Sequence, residues 1–229
     1  MGGSPPTVIA AADLHQFFDD KVAGVGAATA GAAPPTFTPA PAGCELRVFS
    51  PVSKSEVIEL IRALPDKRCA SDPLPTRLLK SNVAELASLM CHLINASISS
   101  GVVPATFRSA YITPLLKKAD LDPADPKSFR PISNLSVFSK LLKRIVAKQL
   151  VNYLKDNGLL PDLQSTNRAD HSTETAVLKV LAGILLALDN GDLALLTLLD
   201  LSAAFNSVDH TTLLERLRVS YGLNDVVLS

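Results

Sequence analysis

Residues 136–158, SVFSKLLKRIVAKQLVNYLKDNG, predict a long amphipathic helix. Apolar side chains recur at intervals of three and four residues, which places them on one helix face. These side chains are Val137, Phe138, Leu141, Leu142, Ile145, Val146, Leu150, Tyr153 and Leu154. Asn157 and Gly158 supply a stop signal. We therefore expect a helix over residues 136–156 that packs one face against a core.

The flanking sequence predicts further helices. Ser53 and Glu56 form a capping box that starts a helix over residues 53–64. A second helix is expected over residues 76–100, with a break near Ser81 and an end at Gly101. Apolar periodicity also predicts a helix over residues 173–189 that buries Val177, Val180, Leu181, Ile184, Leu185 and Leu188. Another helix is predicted near residues 213–219.

Two segments favour strands. Residues 110–116 are β-like, and Pro114 indicates an edge position because proline cannot donate to a ladder. The turn formers of residues 117–128 then predict the tip of a hairpin. Residues 193–199 are a continuous apolar run between turn residues, which predicts a fully buried strand. The chain should thus be α+β and mostly α.

The N-terminal part divides into a helix and a linker. Residues 10–22 have helical periodicity that Gly24 should end, and GAATAGAAPPTFTPAPAGC (26–44) predicts a flexible or extended tether. The sequence lacks a signal peptide and a membrane-spanning run. Three widely spaced cysteines give no zinc motif and no disulfide partner. We expect a soluble, intracellular protein, nuclear or cytoplasmic, with no membrane partner.

Charge is unevenly distributed along the chain. Hydrophobic residues make up 47% and charged residues 19%, so the chain is not of the disordered class. The formal net charge is +0, which argues against nucleic-acid binding over the whole surface. Residues 101–155, however, hold ten Lys or Arg against three Asp, a local charge of +7. This patch suits a phosphate-rich partner, and a solvated helix face explains it equally well.

Residues 196–210, LTLLDLSAAFNSVDH, place Asp200 at the end of the predicted buried strand. A strand-end aspartate can hold Mg²⁺, which needs few protein ligands when substrate phosphates supply the rest. A capping role is the more common one for a single aspartate in this position. Asp209 heads the following helix, where we interpret it as a cap. His171 lies at a helix start without a nucleophile pattern, which favours a local structural role.

Three blocks in order carry a family resemblance: FRPISNLSVFSKLLKRIVAKQL (129–150), QSTNRADHSTETAVLKVL (164–181) and LLDLSAAFNSVDHTTLLERL (198–217). They resemble the reverse transcriptase of non-LTR, LINE-type retrotransposons of the Jockey-related kind. DPLPTRLLK and YITPLLKK, upstream, also resemble the lead-in and first motif of that family. The resemblance covers residues 50–220 and implies an RNA-directed DNA polymerase.

The resemblance implies a role for several residues. Asp200 would be the first metal-binding aspartate of the palm, and Leu201 would offer a backbone carbonyl to the second metal. Phe205 resembles the aromatic gate that stacks under the sugar and excludes a ribose 2′-hydroxyl. The residues expected to contact the incoming nucleotide or the template are Lys117, Lys118, Arg130, Gln164 and Arg168.

The resemblance also implies the domains and the partners. Residues 1–50 would be an N-terminal helix and linker, 51–106 a helical extension, and 107–229 the fingers and first part of the palm of a right-hand polymerase. The implied cofactor is Mg²⁺. The implied partners are an RNA template, a DNA primer and deoxynucleoside triphosphates.

Several positions depart from the family pattern. Asn206 replaces the usual Asp, and Thr166 and Asn167 replace Gly and Phe. The second and third metal-binding carboxylates belong to a Tyr/Phe-x-Asp-Asp hairpin, and the chain ends at Ser229 before such a block and the thumb. The FFDD stretch at residues 17–20 lies upstream in a helical pattern, so we do not assign it that role. We predict that the chain alone does not polymerise; the alternative is a non-catalytic nucleic-acid-binding remnant.

Overall fold

The computed structural model describes residues 9–66, 74–200, 204–205 and 207–229. Within these ranges the chain forms helices and one antiparallel hairpin, which agrees with the mostly α, α+β prediction. The helices are α1 Ala11–Thr29, α2 Lys54–Arg62, α3 Thr76–Ser81, α4 Val83–Ser100, α5 Ala105–Arg108, α6 Val137–Asp156, α7 Thr173–Asp189 and α8 His210–Tyr221. The strands are β1 Ala110–Leu116 and β2 Phe129–Leu135, and 3₁₀ turns span Pro126–Ser128 and Asp225–Leu228.

The core lies between α2, α3, α4 and α6. Ile61, Leu79, Ile94 and Leu141, one from each of these helices, are completely buried. Burial of such a side chain stabilises the fold by about 1.5–3 kcal/mol. The N-terminal half of the predicted α6 stripe is therefore confirmed as core, whereas Tyr153 and the C-terminal half are only half-buried.

Local signals set the helix ends as the sequence predicts. Ser53 caps α2 through a reciprocal capping box with Glu56, whose backbone N–H donates to the serine hydroxyl at 3.2 Å. The predicted break in residues 76–100 occurs at Asn82, between α3 and α4. Gly101 ends α4 with a φ of 70°, a left-handed conformation that glycine adopts without strain.

The hairpin is confirmed with its predicted tip. β1 and β2 pair antiparallel, with Ala110 opposite Leu135 at one end and Leu116 opposite Phe129 at the other. Pro114 lies directly opposite Pro131, so the two missing donors fall in one residue pair. Among the described residues this is a two-stranded sheet, and both strands are edges, as Pro114 indicates.

Part of the predicted tether is extended and attached to the helices. The N–H of Ala40 donates to the carbonyl of Val219 at 2.8 Å, and Leu46 forms a parallel bridge with Leu223. The side-chain amide of Gln149 then binds both the N–H (2.8 Å) and the carbonyl (2.9 Å) of Ser50. Of the predicted tether (26–44), residues 26–29 are therefore helical, and a turn at residues 42 and 43 precedes the bridge at Leu46.

Helix α1 is longer than predicted. It continues to Thr29 and passes Gly24, the residue expected to end it. Glycine costs about 1 kcal/mol in a helix interior, but it breaks a helix only where another conformation is better stabilised. Ala23 precedes Gly24, and Ala27 and Ala28 follow Gly26, so strong helix formers flank the two glycines and favour continuation.

The largest errors of the sequence prediction concern burial in the C-terminal half. Residues 193–199 form no strand, and Leu193 and Leu195 are 100% and 93% exposed, so the prediction of a buried strand is wrong. Helix α7 has its predicted bounds, but Leu181 and Leu185 of its apolar stripe are 47% and 52% exposed. A buried strand needs pairing partners, and in the described part of the chain β1 and β2 pair only with each other. No described helix is long and apolar enough to cross a membrane.

Candidate functional site

A cleft of about 690 Å³ opens between α1, the hairpin tip, the start of β2 and residues 204–205. Its lining consists of Phe17, Phe18, Asp20, Lys21, Val22, Lys117, Lys127, Phe129, Arg130, Pro131, Ala204 and Phe205. Lys117, Arg130 and Phe205 are three of the residues predicted to bind a nucleotide. The fold thus brings together residues from the hairpin and from a segment far along the chain.

The hairpin determines where the cations of the cleft lie. Lys117 directly follows β1, and its backbone N–H donates to the carbonyl of Ser128 at 2.9 Å. Its Nζ donates to the carbonyl of Lys127 at 2.6 Å, which leaves two further ammonium donors. Arg130 lies on β2 opposite Leu115. Both cations are therefore attached to the same rigid ladder.

Two of the three aspartates of the tip, Asp122 and Asp125, form hydrogen bonds within the tip itself. Asp122 Oδ1 accepts the N–H of Ala124 at 2.8 Å, and Asp125 Oδ1 accepts the N–H of Lys127 at 2.9 Å. Such turns satisfy short acidic side chains locally. Neither aspartate lines the cleft.

The cleft combines positive charge with aromatic surface. Among the described residues that line it, four are cations, Lys21, Lys117, Lys127 and Arg130, and one is a carboxylate, Asp20. Phe17 and Phe18 meet edge to face with ring centroids 5.6 Å apart, and Phe205 is 89% exposed. Cations suit phosphate oxygens, and an exposed ring offers a stacking face. This chemistry fits a nucleotide.

The sequence prediction missed two contributors to this cleft. Lys127 was counted in the basic segment without an assigned role, although its place in the predicted tip was a usable signal. Helix α1 supplies Phe17, Phe18 and Asp20, and nothing in the sequence placed that helix beside the hairpin. The FFDD stretch is helical as predicted, and Asp19 pairs with His15 at 3.4 Å.

The predicted metal ligands do not form a metal site in the described residues. Asp200 is exposed, and Leu201 lies outside the described residues, as do Asn206 and Cys69. The described ranges contain no group of three or more His, Cys, Asp or Glu side chains that could hold an ion. Among the residues that the structure describes, those around Asp200 therefore do not fit a two-ion centre, which needs several carboxylates.

Gln164 and Arg168 lie in a different groove, between α6, residues 160–169 and α8. Arg168 Nη1 donates to the carbonyl of Pro161 at 2.7 Å, and Gln164 Nε2 donates to that of Thr166 at 3.3 Å. Asn167 between them has a φ of 57°, which asparagine tolerates better than most residues. Lys118 lines neither this groove nor the cleft.

Asp209 has the capping role that the sequence predicts. Its Oδ1 accepts the backbone N–H of Thr212 at 2.6 Å at the start of α8. This hydrogen bond lowers the pKa of the Asp209 carboxyl, because it stabilises the ionised form. His171 Nδ1 lies 2.8 Å from the carbonyl oxygen of Ala169, which fits the predicted local role.

Comparison with known proteins gives one consistent family. Residues 116–221 match the family described as reverse transcriptase (RNA-dependent DNA polymerase). The chain is 29% identical over 171 residues to the probable RNA-directed DNA polymerase from transposon BS of Drosophila melanogaster, which covers 74% of this chain and 19% of that protein. It is 28% identical over 167 residues to the RNA-directed DNA polymerase from mobile element jockey of the same organism, covering 72% and 18%.

A third relative agrees with these two. The probable RNA-directed DNA polymerase from transposon X-element of Drosophila melanogaster is 28% identical over 162 residues, covering 71% of this chain and 18% of that protein. The chain spans about a fifth of the length of the curated relatives that it matches. The family match contains β2, α6, α7 and α8, together with Lys117, Arg130 and Phe205 of the cleft. The family match thus identifies residues 116–221 as a reverse transcriptase segment, and the relatives support one of the jockey-like, non-LTR retrotransposon kind.

Proposed function

We propose that the cleft binds the triphosphate of an incoming deoxynucleotide, as part of an RNA-directed DNA polymerase. Lys117 and Arg130 would contact the phosphates, with Lys127 beside them, and the ring of Phe205 would lie under the sugar. The observation that carries this proposal is the convergence of these side chains, from the hairpin and from residues 204–205, on one cleft.

In the reaction of the intact polymerase, a primer 3′-hydroxyl would lose its proton and attack the α-phosphate of the nucleotide opposite an RNA template. The bond between the α- and β-phosphates would break, and pyrophosphate would leave. Reverse transcriptases use divalent metal ions, and Asp200 is our candidate for one ligand of Mg²⁺. The described residues supply no carboxylate cluster around Asp200, so we derive only binding and positioning for this chain.

We further propose that residues 107–229 correspond to the fingers and the start of the palm, with residues 51–106 as a helical extension and 1–50 as an N-terminal helix and linker.

The second candidate function is nucleic-acid binding without catalysis. Ten cations lie in residues 101–155, and among the described residues none of them forms an ion pair with a carboxylate. Unpaired surface cations attract a phosphate backbone and release its counterions. This alternative requires a salt-dependent affinity for RNA or DNA. That affinity must fall when Lys117, Lys118 and Arg130 are neutralised together.

The binding proposal is tested by titrating the full chain with a fluorescent deoxynucleoside triphosphate. Lys117→Gln and Arg130→Gln should each weaken binding by about tenfold, as expected for a charge-assisted contact worth 1–2 kcal/mol. Lys118→Gln is the matched control, because Lys118 is adjacent to Lys117 but does not line the cleft. Equal effects of all three substitutions, or no binding by the unmodified chain, would contradict the proposal.

Primer extension tests the prediction that this chain alone does not polymerise. With an RNA template, a DNA primer and Mg²⁺ or Mn²⁺, we expect no extension by the chain alone, because two-ion catalysis needs more than one carboxylate. Template-dependent synthesis that Asp200→Ala abolishes would overturn this expectation, and it would establish Asp200 as a metal ligand in this chain.

A further inference from the structure

Helix α1 forms one wall of the cleft that is the proposed triphosphate site, although it lies outside the family match to residues 116–221. Five of the described residues that line the cleft belong to α1: Phe17, Phe18, Asp20, Lys21 and Val22. Residues four apart are neighbours on a helix surface, so Lys21 lies next to Phe17, and Val22 lies next to Phe18. The helix thus presents two rings and a cation to the cleft.

Apolar packing attaches α1 to the rest of the described chain. Leu14 is the one buried side chain of this helix, at 8% exposed, and it lies outside the core between α2, α3, α4 and α6. The described residues contain no hydrogen bond or ion pair between α1 and any element beyond the turn at residues 30–32. A segment with few buried contacts opens at a low free-energy cost. The docking of α1 can therefore be lost while the core stays folded.

The segment after α1 is long enough for the helix to leave the cleft. Residues 33–39 have no backbone hydrogen bond within the described chain. The next attachment is the N–H of Ala40, which donates to the carbonyl of Val219 at 2.8 Å. Seven extended residues span about 23 Å, which exceeds the diameter of a helix, about 10 Å. Helix α1 can therefore move clear of the hairpin while Ala40 stays attached to α8.

The side chains of α1 suit a ligand that has a planar group and phosphates. Lys21 forms no ion pair in the described chain, so its ammonium group is available. The carboxylate of Asp20 accepts the side-chain N–H of Gln16 at 2.7 Å, which engages one of its oxygens within the helix. Phe17 and Phe18 meet edge to face and are half-buried, so aromatic surface stays open beside Lys21. A ring beside a cation matches a nucleotide, in which a planar base is joined to phosphates.

We propose that α1 is a lid that closes on the bound nucleotide, with Phe17 and Phe18 stacking on the base and Lys21 contacting the phosphates. This inference rests on the proposed triphosphate site and adds a moving element to it. The cleft of about 690 Å³ is present with α1 docked, and cavities of that size hold small-molecule ligands. The docked helix and the nucleotide can therefore be present together, which favours a lid over a competitor for the site.

The rings are tested by calorimetric titration of the full chain with deoxythymidine triphosphate and with inorganic tripolyphosphate, which has no base. Phe17→Leu combined with Phe18→Leu should weaken binding of the deoxynucleotide by about fivefold to tenfold through lost stacking, and leave tripolyphosphate binding unchanged. Lys21→Gln should weaken binding of both ligands by about threefold. Phe37→Leu is the matched control, because Phe37 does not line the cleft. Unchanged deoxynucleotide affinity in the ring variant and in Lys21→Gln would overturn the proposal.

The movement of the lid is tested through Leu14, which is buried but does not line the cleft. Leu14→Glu places a carboxylate at a buried position and should undock α1. Deoxynucleotide binding should then weaken by about tenfold or more, because both rings and the cation leave the cleft. Ala12→Glu adds the same charge at an exposed position of α1 and should stay within about twofold of the unmodified chain. Circular dichroism checks that each variant folds.

Hydrogen exchange of the α1 amides reports the same coupling from the side of the helix. Deoxythymidine triphosphate should slow this exchange in the unmodified chain but not in Leu14→Glu, because a ligand that binds the docked helix stabilises docking in return. Faster exchange on addition of the nucleotide, or tighter nucleotide binding by Leu14→Glu, would overturn the proposal and show that α1 competes with the nucleotide for the cleft.

The outcome is separable from that of the proposed triphosphate site. If Lys117→Gln and Arg130→Gln weaken nucleotide binding but the α1 variants do not, the triphosphate site stands and the lid is excluded. If the unmodified chain binds neither the deoxynucleotide nor tripolyphosphate, the triphosphate site is excluded, and the lid with it. A nucleotide affinity that depends on Leu14 but not on Lys117 or Arg130 would support the lid and exclude the proposed phosphate contacts of the hairpin.

Discussion

Gly222 faces the backbone carbonyl of Cys44 so closely that a Cβ on Gly222 would overlap the carbonyl oxygen and lie 2.9 Å from the carbonyl carbon. The two residues meet where α8 ends and the N-terminal linker joins the helical core. The neighbouring bridge between Leu46 and Leu223 continues the same junction. The absence of a side chain at Gly222 therefore permits the contact between the N-terminal linker and the end of α8.

Gly222→Ala should destabilise the protein by about 3 kcal/mol, because a steric overlap adds to the 1–2 kcal/mol cost of a left-handed residue with a Cβ. Gly158→Ala is the matched control. Its φ of 63° is close to the 66° of Gly222, but nothing lies within 4 Å of its Cβ position. Gly158→Ala should therefore cost only about 1 kcal/mol. Urea denaturation measures the free energy of unfolding of both variants. Equal losses would show that Gly222 does not pack closely against the carbonyl of Cys44.

Tyr153→Phe should lower the free energy of unfolding by about 1 kcal/mol near neutral pH, because it removes the hydrogen bond from the hydroxyl to the carbonyl of Tyr221. Burial raises the pKa of Tyr153 above its ordinary 10.0, and Cys44 and Glu45 add to the shift. The unfolded chain then loses its phenolic proton at lower pH than the folded chain. The stabilisation that the neutral phenol of Tyr153 provides is thus fully present below pH 10. It is lost as the pH rises through the raised pKa of Tyr153 in the folded protein.

The check is urea denaturation of both proteins at about pH 8 and about pH 11. The unmodified protein should have a higher free energy of unfolding than Tyr153→Phe at the lower pH, and this difference should shrink at the higher pH. An advantage that stays constant or grows with pH would contradict the raised pKa.

Two side-chain amides hold the segment before α2 in the same way. Asn95 binds the N–H (2.8 Å) and the carbonyl (2.9 Å) of Val52, as Gln149 does for Ser50. Asn95→Asp keeps the shape but places a carboxylate against the Val52 carbonyl, in a partly buried position. We expect a cost of about 2–3 kcal/mol, since the Val52 carbonyl then faces a carboxylate and keeps only the weak thiol donor of Cys91 at 3.3 Å.

Gln149→Glu makes the same chemical change at an exposed site and should cost about 1 kcal/mol or less. Thermal unfolding of the two variants compares them directly. A larger loss for Gln149→Glu than for Asn95→Asp would show that burial does not set the cost. The deficit of Asn95→Asp should also diminish when acid protonates the new carboxylate and restores a donor.

Local signals in the sequence were sufficient for most helix and strand positions. Ser53 with Glu56, the break at Asn82, the end at Gly101 and the hairpin tip are all determined by residues close to one another along the chain. The continuation of α1 past Gly24 was missed, because alanine-rich neighbours compensate for a glycine that has no competing contact.

Burial and long-range placement were less predictable. An apolar run such as residues 193–199 shows that the segment suits burial, but it does not show which partner would cover it. Phe17 and Phe18 line the cleft with Lys117 because α1 lies beside the hairpin, and no local pattern encodes that placement. The family blocks predicted six residues that contact the nucleotide or the template: Lys117, Lys118, Arg130, Gln164, Arg168 and Phe205. The fold brings Lys117, Arg130 and Phe205 to one cleft. Lys118 does not line that cleft, and Gln164 and Arg168 lie in a different groove.

Leu141 on α6 and Leu185 on α7 both belong to apolar helix faces predicted from the sequence. Replacing each with alanine should nevertheless change the free energy of unfolding by different amounts. Leu141 is completely buried between α6 and the other core helices, whereas Leu185 on α7 is 52% exposed. Leu141→Ala should reduce the free energy of unfolding by about 2–5 kcal/mol, from lost transfer energy and the cavity left behind. Leu185→Ala should change it by no more than about 0.5 kcal/mol, as is usual at surface positions.

Urea denaturation at several protein concentrations measures both leucine variants. A concentration-independent loss for Leu185→Ala that matches Leu141→Ala would show that α7 packs within the single chain, contrary to its exposure in this structure. A loss for Leu185→Ala that appears only at high protein concentration would show instead that the apolar face of α7 is covered by association between chains, because stability then depends on concentration through mass action. The buried leucine provides the reference, because its cost should not depend on concentration.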